Sequence, residues 1–243
     1  MHISQLFKNY LTTGIRKKKA EEAYDIWSSS YDSQPDNLML YLDQVLFTGF
    51  LNSVSLQNKV VLDFGCGTGR HWKAMYDHRP AQMIGIDVSE GMLEQLRQKH
   101  PRATVMQNKG NQLLSIESST VDVLVCTLTI AHIKNIEELF EEWNRLVKQD
   151  GNIYLSDYHP VLLQNGGKRD FSLNGEKYSI INYVHSLNKI KILALKYGWR
   201  LKLEEQKWID EKVKCFYEKQ GAMSVYNKFK GSPVIYGLHF YKQ

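Results

Sequence analysis

Three glycines at alternate positions, in Asp63-Phe64-Gly65-Cys66-Gly67-Thr68-Gly69, follow the short apolar run Val60 to Phe64. A buried strand that breaks into such a turn and then enters a helix can bend sharply. It also lets a ligand approach without Cβ clashes. The N–H groups at the start of the next helix would favour an anionic group. The spacing Gly-x-Gly-x-Gly differs from the dinucleotide pattern Gly-x-Gly-x-x-Gly. Taken alone, the turn could also be a purely structural strand-to-helix connection. A second feature points to a ligand. Asp87 ends the next apolar run, Gln82 to Asp87, about twenty residues on, where a carboxylate can accept both ribose hydroxyls of an adenosine. The plainer alternative for Asp87 is a cap for a helix starting near Ser89.

The elements that must hold these residues are legible in the pattern. Apolar runs at Val60–Phe64, Gln82–Asp87, Ala103–Met106, Val121–Cys126 and Asn152–Ser156 read as strands buried on both faces. Amphipathic helices separate them. The clearest spans Asn135 to Lys148, with Asn135 as cap, Glu138 as partner in a capping box, and Leu139, Trp143, Leu146 and Val147 facing the core. Alternating units of this length predict an α/β, doubly wound sheet with right-handed crossovers. Residues 1–57 predict a helical cap, with Tyr24, Trp27 and Tyr31 on one helix face and a second helix from Leu38 through Phe50. Residues 58–243 form the ligand-binding domain, interrupted by a cap insertion at about 161–186. That insertion carries a hairpin around Asn174-Gly175. A helix (Ser186 to Tyr197), a strand (Trp199 to Trp208), a helix (about Glu211 to Phe229) and a last strand (Pro233 to Tyr241) complete the chain.

The motifs Val-Leu-Asp-Phe-Gly-Cys-Gly-Thr-Gly at 61–69, Gly-Ile-Asp-Val-Ser at 85–89 and Leu-Phe-Glu-Glu-Trp-Asn-Arg-Leu-Val-Lys-Gln-Asp-Gly at 139–151 resemble the class I S-adenosylmethionine (SAM)-dependent methyltransferases. The similarity is greatest to the branch that includes the ubiquinone/menaquinone-type and other small-molecule enzymes, and it covers roughly residues 20–160. The resemblance implies a Rossmann-like, mostly parallel seven-stranded sheet whose last strand is antiparallel, and SAM as cofactor. By position, it implies that Gly65, Cys66, Gly67 and Gly69 form the methionine-binding turn. Asp63 would help hold the donor's amino group, and Asp87 its ribose. Val88 and Met92 would pack on the adenine, and Thr127 would lie under the methionyl part. Tyr24 and Tyr31 would close over the donor, with plain core packing as their alternative. The family's usual acidic residue for the adenine amino group is replaced by Lys109, which cannot accept a hydrogen bond. The adenine would then rely on backbone near Gly110, or on the side chains of Asn108 or Asn111.

Methyl transfer needs a general base only if the nucleophile arrives protonated. His132, His159 and His185 stand after predicted strands or the hairpin, where a base could sit. Each could equally be a histidine bonded to loop backbone. The aromatic residues Trp27, Tyr41, Phe47, Phe171, Tyr178 and Tyr183 predict a largely apolar pocket for a small organic acceptor. The net charge of +5 is modest, and part of it lies in Arg16-Lys17-Lys18-Lys19, a run that reads as a solvated helix face or a frayed terminus or, as the alternative, a nucleic-acid contact of an RNA-modifying enzyme. A non-catalytic SAM-binding subunit is the remaining alternative. The three cysteines are too scattered for a disulfide framework or zinc site, and no apolar run is long enough to span a membrane. A cytoplasmic monomer or homodimer is the expectation, with no resident metal.

Overall fold

The computed structural model describes residues 15–243. The first fourteen positions of the expected cap lie outside the described residues.

A seven-stranded sheet forms the centre. Its strands are β2 (Val60–Phe64), β3 (Gln82–Asp87), β4 (Thr104–Gln107), β5 (Val121–Thr127), β6 (Val147–Tyr158), β9 (Trp199–Trp208) and β10 (Pro233–Lys242). The spatial order is β4-β3-β2-β5-β6-β10-β9. β10 pairs antiparallel with both β6 and β9, and the pairs from β4 across to β6 are parallel. The doubly wound sheet with one reversed strand is therefore present. The order reverses between β2 and β5, and their carboxyl ends open a crevice there.

Both faces are buried, which is why these strands read as continuous apolar runs. One face packs Leu62, Leu124 and Leu155 under α5 (Ile136–Leu146) and α7 (Leu187–Lys196). On α5, Leu139, Trp143 and Leu146 are fully buried, as the periodicity requires. Asn135 Oδ1 accepts from Glu138 N at 3.5 Å, but the Glu138 carboxylate accepts from Asn111 instead of closing a capping box. The other face packs Val61, Val123 and Val125 under α3 (Trp72–Asp77), α4 (Glu90–Lys99) and α2 (Leu38–Ser53).

α2 corrects one expectation. Phe47 and Phe50 are buried in this second core cluster, so the helix belongs to the sheet's face and not to a separate cap. Asn37 caps it by accepting from Met39 N and Leu40 N. The cap proper is α1 (Ala20–Trp27) and a small second sheet made of β1 (Arg16–Lys18), β7 (Asp170–Leu173) and β8 (Glu176–Ile180). The basic run is thus a strand paired with β8, not a helix face. Arg16 pairs with Glu176 and Lys18 with Glu22.

β7 and β8 form the expected hairpin. Asn174 and Gly175 both have positive φ, 51° and 79°, the backbone of the tight turn that matches strand twist. Gly175→Ala is expected to cost about 1 kcal/mol in thermal unfolding, since alanine disfavours that conformation although nothing crowds the position.

The helix expected over 211–229 is broken. A 3-10 turn leads into α8 (Lys214–Lys219), and α9 (Met223–Phe229) follows after Gly221, whose φ of 62° no helix accommodates. α6 (Pro160–Gln164) is a short helix capped by His159. Among the described residues, no helix is long and apolar enough to cross a membrane.

Candidate active site

The β2 turn carries φ values of 74°, 52° and 72° at Gly65, Gly67 and Gly69. A Cβ at Gly65 would lie 2.2 Å from Thr129 Oγ1, and one at Gly69 2.9 Å from Leu96. These two glycines let the turn pack against its neighbours. At Gly67 nothing stands within 4 Å, so that backbone faces open space. The space is a cavity of about 360 Å3, within the size range of small-molecule sites. Its floor is the turn and the carboxyl ends of β2, β3 and β5.

Most residues singled out from the sequence meet here. Tyr24, Tyr31, Asp63, Gly65, Cys66, Gly67, Asp87, Val88, Met92, Asn108, Lys109, Gly110, Thr127 and His132 all line the cavity. Gly69 does not; its contacts are Leu96 and Trp72.

Asp87 is tied to the turn. Its Oδ2 accepts from Gly67 N at 2.8 Å and its Oδ1 from Ser89 N at 2.9 Å. The expected free N–H groups of the turn are therefore partly committed to this carboxylate. The helix cap itself is Ser89, which accepts from Met92 N. Burial raises Asp87 to about 6, against the pull of the N–H groups of Ser89, Gly67 and Val88. Asp63 is pushed further, to about 7, by burial and the nearby charge of Asp87, although Trp72 Nε1 donates to it at 2.8 Å.

The N-terminal segment is latched over the cavity by polar ties to four loops. Asp25 accepts from Ser89 Oγ at 2.6 Å and Gly91 N at 3.0 Å. Asp32 accepts from Thr68 Oγ1 and pairs with Lys99. Lys109 pairs with Glu21 at 2.6 Å, which explains a lysine in that loop: it holds α1. The Tyr24 hydroxyl donates to His132 Nε2 at 2.9 Å. Tyr31 lies past the end of α1, yet its ring still packs edge-on against Trp27 and Tyr24.

Two buried charge clusters escaped the sequence reading. In the first, Asp43 of α2 is fully buried and accepts from Arg70 Nη2, His71 Nε2 (2.8 Å) and Ser156 Oγ (2.5 Å). Burial alone would raise its pKa, but Arg70 and the donors of His71 and Ser156 hold it well below the usual carboxylate range. Arg70 and His71 both line the cavity. His71 is depressed to about 4 by burial and by Arg70, so its ring is neutral. With Nε2–H given to Asp43, Nδ1 keeps a lone pair that is buried and without a partner among the described residues.

In the second cluster, Arg169 pairs with Asp157, donates to Leu128 O at 2.7 Å and to His132 Nε2 at 2.6 Å, and lies 4.1 Å over the Tyr158 ring. His132 Nδ1–H donates to Ile181 O at 3.3 Å. Burial and Arg169 hold His132 well below its ordinary pKa. Its one free lone pair thus receives two donors, Tyr24 and Arg169.

His159 and His185 lie elsewhere. His159 Nδ1 accepts from Val161 N at 3.3 Å, the cap of α6. His185 Nε2–H donates to Ile133 O at 2.8 Å, beside a small cavity that Tyr183 also lines. Burial lowers the pKa of both. Both therefore make the loop-backbone contacts that were the plainer expectation. Of the aromatic residues expected at the acceptor pocket, Phe47 is in the core, Tyr41 is exposed and packs on Phe216, and Tyr178 stacks on Phe171. Among the described residues, no group of three His, Cys, Asp or Glu side chains is placed to hold a metal.

Residues 62–155 match the model of a methyltransferase domain. The biotin biosynthesis bifunctional protein BioHC of Cellvibrio japonicus is 28% identical over 74% of this chain and 34% of that protein. A ubiquinone biosynthesis O-methyltransferase of Coxiella burnetii is 22% identical over 57% of this chain and 59% of that protein. This chain thus matches about a third of the first relative's length and under two thirds of the second's. A crystal structure of a putative SAM-dependent methyltransferase from Listeria monocytogenes shares the fold, with a TM-score of 0.63 at 18% identity over 82% of this chain and 99% of that one. With the glycine turn, the Asp87 carboxylate and the sheet order in place, residues 62–155 carry a methyltransferase domain, and the fold is that of the SAM-dependent methyltransferases.

Proposed function

We propose that the chain transfers a methyl group from SAM to a small organic acceptor, with the donor held in the cavity beneath α1. The observation that carries this reading is the Asp87 carboxylate, buried in the crevice and tied to the open glycine Gly67. The residues fit the donor. Asp87 has oxygen lone pairs left for two ribose hydroxyls. Val88 and Met92 offer apolar contact to adenine. The amide nitrogens of Asn108 and Asn111 are spent on Gly110 O and on Asn135 O and Glu138, which leaves their oxygens as the acceptors available to an exocyclic amino group. Gly65, Cys66, Gly67 and Thr127 frame the methionyl part. Asp63 and the spare Nδ1 of His71 are acceptors for its ammonium, and Tyr24 and Tyr31 cover it. α1 and the small sheet of β1, β7 and β8 act as the cover over the binding domain, to which α2 also belongs.

SAM supplies an electrophilic methyl on a sulfonium, displaced in line as the electron pair stays on sulfur. The chain's own task is to align the partners and exclude water. His132 is the one expected base that lines the cavity. Its Nε2 is free to take a proton only when Tyr24 and Arg169 both turn away, so the reading favours an acceptor that arrives deprotonated.

The pKa shifts give a test of the donor site. Carboxylates raised to about 7 and 6 bind protons more tightly in the folded chain than in the unfolded one. Their stabilising contribution is full below the ordinary carboxylate pKa and is lost as pH rises through 6 to 7. A ligand that gives hydrogen bonds and positive charge to them reverses this and expels protons. S-adenosylhomocysteine (SAH) binding near pH 6.5 is expected to release protons, seen as a calorimetric enthalpy that changes with the buffer's ionisation enthalpy. Asp63→Asn should reduce the release, and equal enthalpies in all buffers would contradict it. The activity itself is tested by a donor-consumption screen against pools of small metabolites. SAH formation with one pool supports the reading; turnover only with tRNA would replace it with the RNA-modifying alternative.

A further inference from the structure

We propose that the donor cavity sorts its two ligands by charge, with Asp63 and Asp87 as the residues that sort them. It binds the cationic sulfonium of SAM more tightly than the neutral thioether of SAH. This deepens the donor assignment above and rests on it.

The charges around the cavity carry the inference. Two acids line it, Asp63 and Asp87, and Asp63 is 4% exposed. Their hydrogen-bond donors are neutral: Trp72 Nε1 for Asp63, and Gly67 N and Ser89 N for Asp87. No cation bonds to either acid among the described residues. An enclosed carboxylate is ordinarily matched by a cation, so these two are open to one that a ligand brings.

Three cations also line the cavity, and each is engaged elsewhere. Arg70 is bound to the fully buried Asp43, and the two act on Asp63 in opposite directions. Lys109 is held by Glu21 of α1. Lys134 is exposed, where water weakens its field. The titratable neighbours add no positive charge. Burial keeps the His71 and His132 rings neutral. It likewise keeps the Tyr24 and Tyr31 hydroxyls and the Cys66 thiol protonated. From α1, Asp25 adds a further negative charge beside Asp87. The crevice wall therefore holds the charge of both acids without a counter-ion. The raised values of Asp63 and Asp87, about 7 and about 6, agree with that balance.

SAM and SAH share adenine, ribose, ammonium and carboxylate. They differ by one methyl and one positive charge on sulfur. In an enclosed cavity that charge interacts with the carboxylates more strongly than it would in water. Methyl transfer removes it. The acceptor's lone pair forms the new bond to carbon, the C–S pair stays on sulfur, and the sulfonium becomes a thioether. Each turnover thus converts a charge-matched ligand into a mismatched one, which favours release of SAH and entry of the next SAM. The preference requires ionised acids. It is full above the folded-state values of Asp63 and Asp87 and fades as pH falls through 7 to 6 and the acids take up protons.

Calorimetry of the full chain with SAM, SAH and sinefungin, without acceptor, tests this. Sinefungin carries an amine in place of the methyl-sulfonium, so it keeps a positive charge there without the sulfur. At about pH 8, SAM and sinefungin are expected to bind roughly tenfold or more tighter than SAH. At about pH 5.5 the three affinities should lie within about threefold of one another. Asp63→Asn keeps an acceptor for Trp72 and removes one charge. Whatever it does to all three affinities alike, it should narrow the gap at about pH 8 by about threefold or more. Equal affinities of SAM and SAH at the higher pH, a gap that does not change with pH, or a gap unchanged in Asp63→Asn would each overturn the proposal. Failure of all three ligands to bind would instead overturn the donor assignment on which it rests.

Discussion

Asp43→Ala is expected to cost about 3–5 kcal/mol of folding stability, the range for breaking a buried pair by removing one partner. The carboxylate is fully buried and receives Arg70, His71 and Ser156 at once. Its loss leaves a nearly buried guanidinium without its counter-charge. It also leaves His71 without the acceptor that fixes which ring nitrogen carries the proton. Because Arg70 and His71 line the donor cavity, the damage should reach the ligand as well as the fold. Asp43→Asn keeps the shape and one acceptor oxygen but not the charge, so it should lie between the two. Chemical denaturation of the three proteins checks this. A loss in Asp43→Ala no larger than that of a surface substitution would show that the cluster carries no such weight.

Asp87→Ala is expected to weaken SAH binding by about 100-fold or more. Hydrogen bonds to a charged group contribute about 1.5–3 kcal/mol each, and two ribose hydroxyls are at stake. The same substitution also strips an acceptor from Gly67 N and Ser89 N, which loosens the turn that faces the ligand. A ligand lacking one ribose hydroxyl separates the two causes. Wild type should discriminate against 2′-deoxy SAH, and Asp87→Ala should bind it as well as SAH. If the variant still discriminates, the ribose lies elsewhere and Asp87 serves the turn alone.

The sheet was legible from sequence because its strands are buried on both faces and its helices on one. Continuous apolar runs marked β2, β3 and β5, and a 3.6-residue stripe marked α5. β9 matched its expected bounds at both ends. The donor turn was legible for a different reason: three glycines at positive φ cannot easily be replaced. What escaped was long-range polarity. Asp43 is the one charged residue of a largely apolar helix, and Arg70-His71 follows the glycine turn as an ordinary polar pair. Nothing local says that they meet across 27 and 28 residues. The available hint was a lone acid on the buried side of α2. Arg169 gave less signal still, a single arginine in a loop, and its partners come from separate elements, Asp157 near the end of β6 and His132 in the turn after β5. For the histidines, chain position after a strand told only that they would lie near the crevice's rim. It could not tell that His159 caps α6 or that His185 turns to Ile133. The helix break at Gly221 was missed because apolar spacing continued through a residue whose backbone could not.

The most direct test of the whole account is calorimetry of the wild-type chain with SAM and with SAH, paired with Asp87→Ala. The account predicts one site per chain with micromolar or tighter affinity for both ligands, lost in the variant while its fold persists by circular dichroism. A folded wild-type protein that binds neither ligand at millimolar concentration would contradict it.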